Sequence, residues 1–225
     1  MNTFFYRISI SLGALSALLL IGLLDHSASA QTVYVPTPSL AKDKMAAGLS
    51  ISPYRRKIHS EGGGTSNALD YSRESVFLDY GLDSRSDLHF EVGLADLDDM
   101  RGMELAAGYY GRLGSAEMLE RRPLHKGYFA VGRWATLESG KVSGTLLQID
   151  VGGGAAWNIT KEFAPYGAAL ISFIQGDIGG ASITADSLLG LVAGAAYDLG
   201  GRLRFGGELH LLYQTGLSLY GRYAF

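Results

Sequence analysis

The 225-residue chain contains no cysteine. That excludes disulfides, thiolate metal sites and lipid attachment through an N-terminal cysteine, so any hold on a membrane has to come from the fold itself. Proline is scarce, at 5 residues. Charge of one sign is missing too: 19 basic residues against 22 acidic ones leave a formal net charge of -3. No Lys/Arg cluster of the kind that neutralises phosphates is present, which argues against nucleic acid as a partner. The short run Arg55-Arg56-Lys57 reads as a solvated loop edge. Beyond the N-terminal region, apolar runs long enough for a membrane helix are absent as well. Between Phe163 and Tyr197 only Asp177 and Asp186 are charged, and they cut the stretch into uncharged pieces of 14, 8 and 11 residues. A membrane helix needs roughly twenty apolar residues and a tilted membrane strand about nine to eleven, so the lengths fit strands.

What is abundant is glycine, at 31 residues and without a collagen period, accompanied by 13 tyrosines. That pairing suggests strands that bend or pack closely. At the N-terminus, Arg7 precedes the uncharged stretch Ile8 to Leu24, and Ser27-Ala28-Ser29-Ala30 ends in an Ala-x-Ala pattern before Gln31. This reads as a cleaved export signal over residues 1–30; the competing reading is a permanent N-terminal anchor. Residues 31–43, with Pro36 and Pro38, read as a short extended periplasmic leader, and 44–225 as the mature domain.

Period-two alternation recurs along that domain. Leu88, Phe90, Val92 and Leu94 alternate with His89, Glu91, Gly93 and Ala95. Met103, Leu105, Ala107 and Tyr109 alternate with Glu104, Ala106, Gly108 and Tyr110, and Leu147, Ile149 and Val151 alternate with Gln148, Asp150 and Gly152. Leu203, Phe205, Leu209 and Leu211 do so with Arg204, Gly206, Glu208 and His210. Ten strands are expected, near 44–56, 71–82, 87–97, 101–113, 127–138, 144–158, 165–176, 186–199, 201–214 and 216–225. An even count returns the chain to its starting side, and with the N-terminus in the periplasm both termini of the expected antiparallel transmembrane β-barrel fall there. Eight strands remain the alternative if 71–97 or 201–225 is divided differently. In the ten-strand order, Tyr80, Tyr109, Trp157, Tyr166, Tyr197, Tyr223 and Phe225 collect at the periplasmic strand ends as an aromatic girdle. The expected outer loops are modest, near 57–70, 96–101, 138–144 and 176–186, with a tight turn at Gln214 to Gly216.

The chain ends on Gly216-Leu-Ser-Leu-Tyr-Gly-Arg-Tyr-Ala-Phe225, with Leu217, Leu219, Tyr223 and Phe225 on one parity and Gly221 interrupting the apolar series. A closed barrel accounts for an apolar terminus, because the last strand then pairs with the first and leaves no free edge. The segment resembles the C-terminal signature of bacterial outer-membrane β-barrels, and Trp157 to Tyr166 looks like the periplasmic hairpin of small OmpA-like and OmpW-like barrels. The resemblance implies recognition by the barrel-assembly machinery during biogenesis and contact with outer-membrane lipid. It identifies an address and a fold rather than an activity.

Glu104, Arg112, Asp150, Arg204, Glu208, His210 and Arg222 fall on the inward parity. Buried charges require partners, so these residues are expected to form a charge network that fills the lumen, with Arg112, Arg204 and Arg222 facing Glu104 and Glu208. Glu208 and His210 share a face and have the chemistry of an acid/base pair, but a lumen hydrogen-bond network is the simpler assignment. At the outer rim, His59, Ser60 and Glu61 match no catalytic spacing. Asp96-x-Asp98-Asp99 lacks the glycine and distal glutamate of a calcium loop and reads as a solvated turn. No catalytic, cofactor or metal residues are therefore assigned. The expected function is a non-enzymatic outer-membrane barrel with a filled lumen, serving envelope integrity or surface interaction. A narrow porin-like conduit is second and an envelope enzyme acting on lipid or peptide third; the sequence names no surface ligand.

Overall fold

The structure is a computed structural model that describes residues 40–60, 66–114, 124–185 and 188–225. The expected signal, residues 31–39 of the leader, and Glu61 lie outside the described residues, as do Gly62 to Gly64.

Eleven strands form one antiparallel sheet that closes on itself. Six long ones lead: β1 (Met45–Ser60), β2 (Ser66–Asp83), β3 (Ser86–Leu97), β4 (Met100–Leu113), β5 (Leu124–Ser139) and β6 (Val142–Trp157). They are followed by β7 (Phe163–Ile178), the short β8 (Ala181–Ala185), β9 (Leu189–Leu199), β10 (Leu203–Leu212) and β11 (Gln214–Ala224). β11 pairs with β1 from Ala46↔Ala224 to Arg56↔Gln214, so the final strand is the seam of the barrel. Ten strands make the wall over most of its height, and the start of β1 and the end of β11 lie at one end, where the Phe225 N–H donates to the Met45 carbonyl at 3.0 Å.

At the opposite end the wall changes. β7 pairs with β9 only up to Ile171↔Leu189, then from Gln175 to Ile178 with β8. The other edge of β8 pairs with the tip of β1, Ile58 to Ser60. Above the turn that joins β10 to β11 the ring therefore runs β1 through β8, and the barrel tapers from ten strands to eight. The expected 176–186 loop contains that extra strand, and β1 and β2 extend through most of the expected 57–70 loop. The tight turn falls at Leu212 and Tyr213 rather than at 214–216, with Leu212 held at φ 77°.

Alternation places apolar side chains outside and polar ones inside. Val76, Val92, Leu105, Trp134, Leu147, Ile171 and Leu219 stand on the outer surface, while Ser75, Glu91, Glu104, Arg133, Gln148, Ser172 and Ser218 are buried within. A sheet that is apolar outside, polar inside and free of edges is the arrangement that hydrocarbon demands, because lipid offers no partners to an unpaired backbone. Outward Tyr109, Trp157, Tyr197 and Phe225 lie near the terminal end as expected. Tyr166 does not join them: it sits on the inward parity of β7, buried, with its hydroxyl on Glu208 at 2.9 Å.

Glycine and aromatic residues occupy facing positions on neighbouring strands. Gly48 faces Phe77, Gly152 faces Phe129, Gly194 faces Tyr166, Gly206 faces Tyr220 and Gly216 faces Tyr54. A Cβ on any of these glycines would fall under 3.0 Å from atoms of the facing ring. Each ring thus lies flat over a neighbour that has no side chain, which is how a narrow interior accommodates so many large residues.

The lipid-facing assignment makes a first prediction. Val92 sits mid-strand on β3 between outward Val76 and Leu105. Val92→Arg should cost about 2–4 kcal/mol, the price of an arginine near the bilayer midplane. Urea unfolding in lipid vesicles measures it, and a loss under about 0.5 kcal/mol would show that this face does not meet hydrocarbon.

Candidate functional site

The interior is filled by one continuous network. Arg133, projecting from β5, reaches three acidic strands: its guanidinium is 3.3 Å from Asp150, 3.5 Å from Glu91 and 3.7 Å from Glu104. Arg73 from β2 reaches the same Glu104 oxygen at 2.9 Å and donates to the Tyr54 hydroxyl at 3.0 Å. Tyr71 donates to the second Glu104 oxygen, and Ser75 donates to Glu91. Toward the terminal end, His89 bridges Asp79 at 2.6 Å and Glu91 at 3.5 Å, and the Arg222 Nε lies 3.2 Å from Asp79. Toward the far end, the Gln148 amide donates to both Asp150 oxygens, at 2.9 and 2.7 Å, and its carbonyl accepts from Arg56 at 3.0 Å. Every one of these side chains is buried. Such charges are tolerable in a low-dielectric interior only because each carboxylate meets cations or hydrogen-bond donors.

At the terminal end of this network Leu40 is buried against Ala46 and Ala224. At the far end the inward positions turn apolar: Leu97, Met100, Leu137, Leu146, Ile174 and Ile183 fill the narrowed eight-strand section. Between that cap and Arg56 remains a cavity of about 10 Å³, room for about one water.

The acid/base pair expected at Glu208 and His210 is present but wired for structure. The His210 Nε2 faces both Glu208, at 3.3 Å, and the Ser218 hydroxyl, at 3.1 Å. A nucleophilic triad needs its serine and its acid on different ring nitrogens, so that one can take a proton while the other orients the ring. Here they share one nitrogen, and the opposite Nδ1 faces the Gln214 amide at 3.3 Å. At the rim, Asp96 pairs with Arg101 at 3.2 Å across the β3–β4 turn, and Asp98 in that turn accepts the N–H of Asp70 on β2 at 3.0 Å.

Of the residues expected in the network, Glu104, Asp150, Glu208, His210 and Arg222 stand within it. Arg204 stands apart. Arg204 forms a bidentate pair with Asp198 on the adjacent β9, at 2.6 and 2.5 Å, and faces neither Glu104 nor Glu208. Arg112 is half-buried near the terminal end of β4. Arg222 pairs with Asp79, which lies on β2 across the neighbouring β1. Four central members are not assigned from the sequence: Arg56, Arg73, Arg133 and His89. Arg56, expected in solvent, is buried, because β1 continues past it to Ser60 and parity turns it inward; its neighbour Arg55 is exposed. Of the terminal signature, Leu217, Leu219 and Phe225 face outward, and Tyr223 is buried, stacked on Phe225 with ring centroids 6.4 Å apart.

No protein-family model and no curated protein matches the sequence. Among solved structures, the chain is similar to Ail, the attachment invasion locus protein of Yersinia pestis, at 12% identity over 82% of this chain and 99% of that one, with a TM-score of 0.38. It is similar to an outer membrane channel from Pseudomonas putida F1 at 12% identity over 88% and 100% of the two chains, TM-score 0.45. A third is the outer membrane protease OmpT from Escherichia coli, at 11% identity over 84% and 99%, TM-score 0.43. An attachment protein, a channel and a protease stand side by side here, and no activity is carried over from any of them.

Proposed function

We propose that this chain is a bacterial outer-membrane barrel that conducts no solute and catalyses no reaction. Its role lies at its surfaces, in envelope integrity or surface interaction. The observation that supports this reading is the filled interior: a fully buried charge network beneath an apolar cap at the far end, with a cavity of about 10 Å³ between them. A hydrated ion needs a continuous aqueous path, and the large barrels that provide one have 16 to 18 strands, well above the ten of this wall. The acid/base groups sit inside the same filled volume, out of reach of a substrate. The apolar belt and the paired terminal strand favour placement across the membrane, with both termini on the periplasmic side and the β8 rim outside.

Planar bilayer recording tests the reading. The purified chain should show negligible steady conductance over a wide voltage range, and large, stable single-channel currents would reassign it as a narrow conduit.

A further inference from the structure

The change from ten strands to eight leaves a mark on the outer wall. Where β7 exchanges β9 for β8, a groove of about 330 Å³ opens on the outside of the barrel, lined by Leu147, Ile149, Phe173, Ile174, Thr184 and Leu188. If a methylene takes roughly the 30 Å³ of a water molecule, the groove holds a run of about ten. Ile174 lines this groove and also lines the small inner cavity, together with Ile183 of β8. One side chain and a five-residue strand thus separate the lipid-facing groove from the chamber whose lining includes Arg56.

Arg56 is unusual among the buried cations. Arg73, Arg133 and Arg222 each contact a carboxylate. Arg56 has none within ion-pair distance among the described residues. It donates to the neutral amides of Gln148 and Gln214, lies over the rings of Tyr71 and Tyr213 at 5.9 and 5.5 Å, and leaves a buried Nε with no hydrogen-bond partner. Its charge reaches Asp150 only through the Gln148 amide. An arginine held by neutral groups, with a donor to spare, is suited to receive an anion.

We infer that this wall is a lateral binding site for a single-chain anionic amphiphile, a long-chain carboxylate: the tail lies in the groove and the head is drawn past Ile174 to Arg56. The surrounding hydrocarbon delivers the tail, and charge complementarity selects the head. Ile174 turns aside to admit the head, and β8 is the element that can yield with it, since it is a five-residue strand tied by three residue pairs to β1 and four to β7.

The inference rests on the membrane placement proposed above but not on the absence of conductance, so a current in the bilayer would leave it standing. The test uses the full chain in nanodiscs of zwitterionic phosphatidylcholine, with palmitate and methyl palmitate as probes, and binding measured against empty nanodiscs. The wild type should bind palmitate saturably and about tenfold more tightly than the ester, a difference of about 1.4 kcal/mol. Arg56→Gln should erase that preference while leaving ester binding within about twofold of wild type. Leu147→Trp, which fills the groove from the lipid side without touching the lumen, should weaken both probes. Equal binding of acid and ester by the wild type overturns the proposal, and so does palmitate binding unchanged in Arg56→Gln. Should Arg56→Gln fail to assemble, the acid-over-ester preference of the wild type and the weakened binding of both probes in Leu147→Trp decide the matter.

Discussion

Arg133→Leu should lower the stability of the folded barrel by about 3–5 kcal/mol, the cost of breaking a buried ion pair by removing one partner. The side chain stands between Asp150, Glu91 and Glu104, all buried, and leucine leaves three carboxylates without their shared cation. Arg204→Ala provides the contrast. Its Asp198 pair joins adjacent strands near the terminal end and is partly exposed, at 12% and 17%, so about 1 kcal/mol is expected. Folded fraction across a urea series, read by the mobility of unheated samples on a gel, measures both. Arg133→Leu falling within about 1 kcal/mol of wild type would show that the network fills space without being needed for stability.

Phe225→Ser should reduce the amount of chain in the outer membrane severalfold, whereas Ala224→Ser should leave most of it there. The two neighbours differ in parity. Phe225 stands outward, 52% exposed and stacked on Tyr223, where an apolar terminal ring is available both to lipid and to the assembly machinery that the C-terminal pattern implies. Ala224 points inward against Leu40 and Ala46, and a serine there buries one hydroxyl, a cost of about 1–3 kcal/mol borne only after folding. Membrane fractionation at matched expression compares them. Equal insertion of the two variants would remove any special role for the terminal phenylalanine and leave its contribution to ordinary apolar burial.

How much of this could be read in advance depended on whether a strand carried contrast between its faces. On β3, β4, β6 and β10 the lipid side is apolar and the lumen side polar, so the wall and its closure were legible there. β5 lacks that contrast. Its inward face is Phe129, Val131, Arg133, Ala135 and Leu137, as apolar as its outward one, and Arg133 is hidden by its own neighbours. β7 misleads in the same way: small Gly167 and Ala169 face lipid, and Tyr166 turns inward to lie over Gly194. Parity also gives a residue's face but not the neighbour its side chain turns toward. Arg222 and Arg204 are directly paired across β10 and β11, yet one reaches Asp79 and the other Asp198. The strand β8 was unreadable for a third reason. Five residues after a Gly-Gly turn carry too little periodicity, and its edges are supplied by β7 and β1.

The facing glycines and rings bear on how such a sequence can drift. Enlarging Gly206 alone drives a Cβ into the Tyr220 ring, and shrinking Tyr220 alone opens a hole where the hydroxyl lay. A tolerated change must move the ring from one strand to the other and the glycine in return, two substitutions that arise together or through a weakened intermediate. Inheritance would then treat Gly48 and Phe77, Gly194 and Tyr166, or Gly206 and Tyr220 as single characters. Among descendants of this chain the loops would diverge freely while those pairs stayed fixed or switched sides as units.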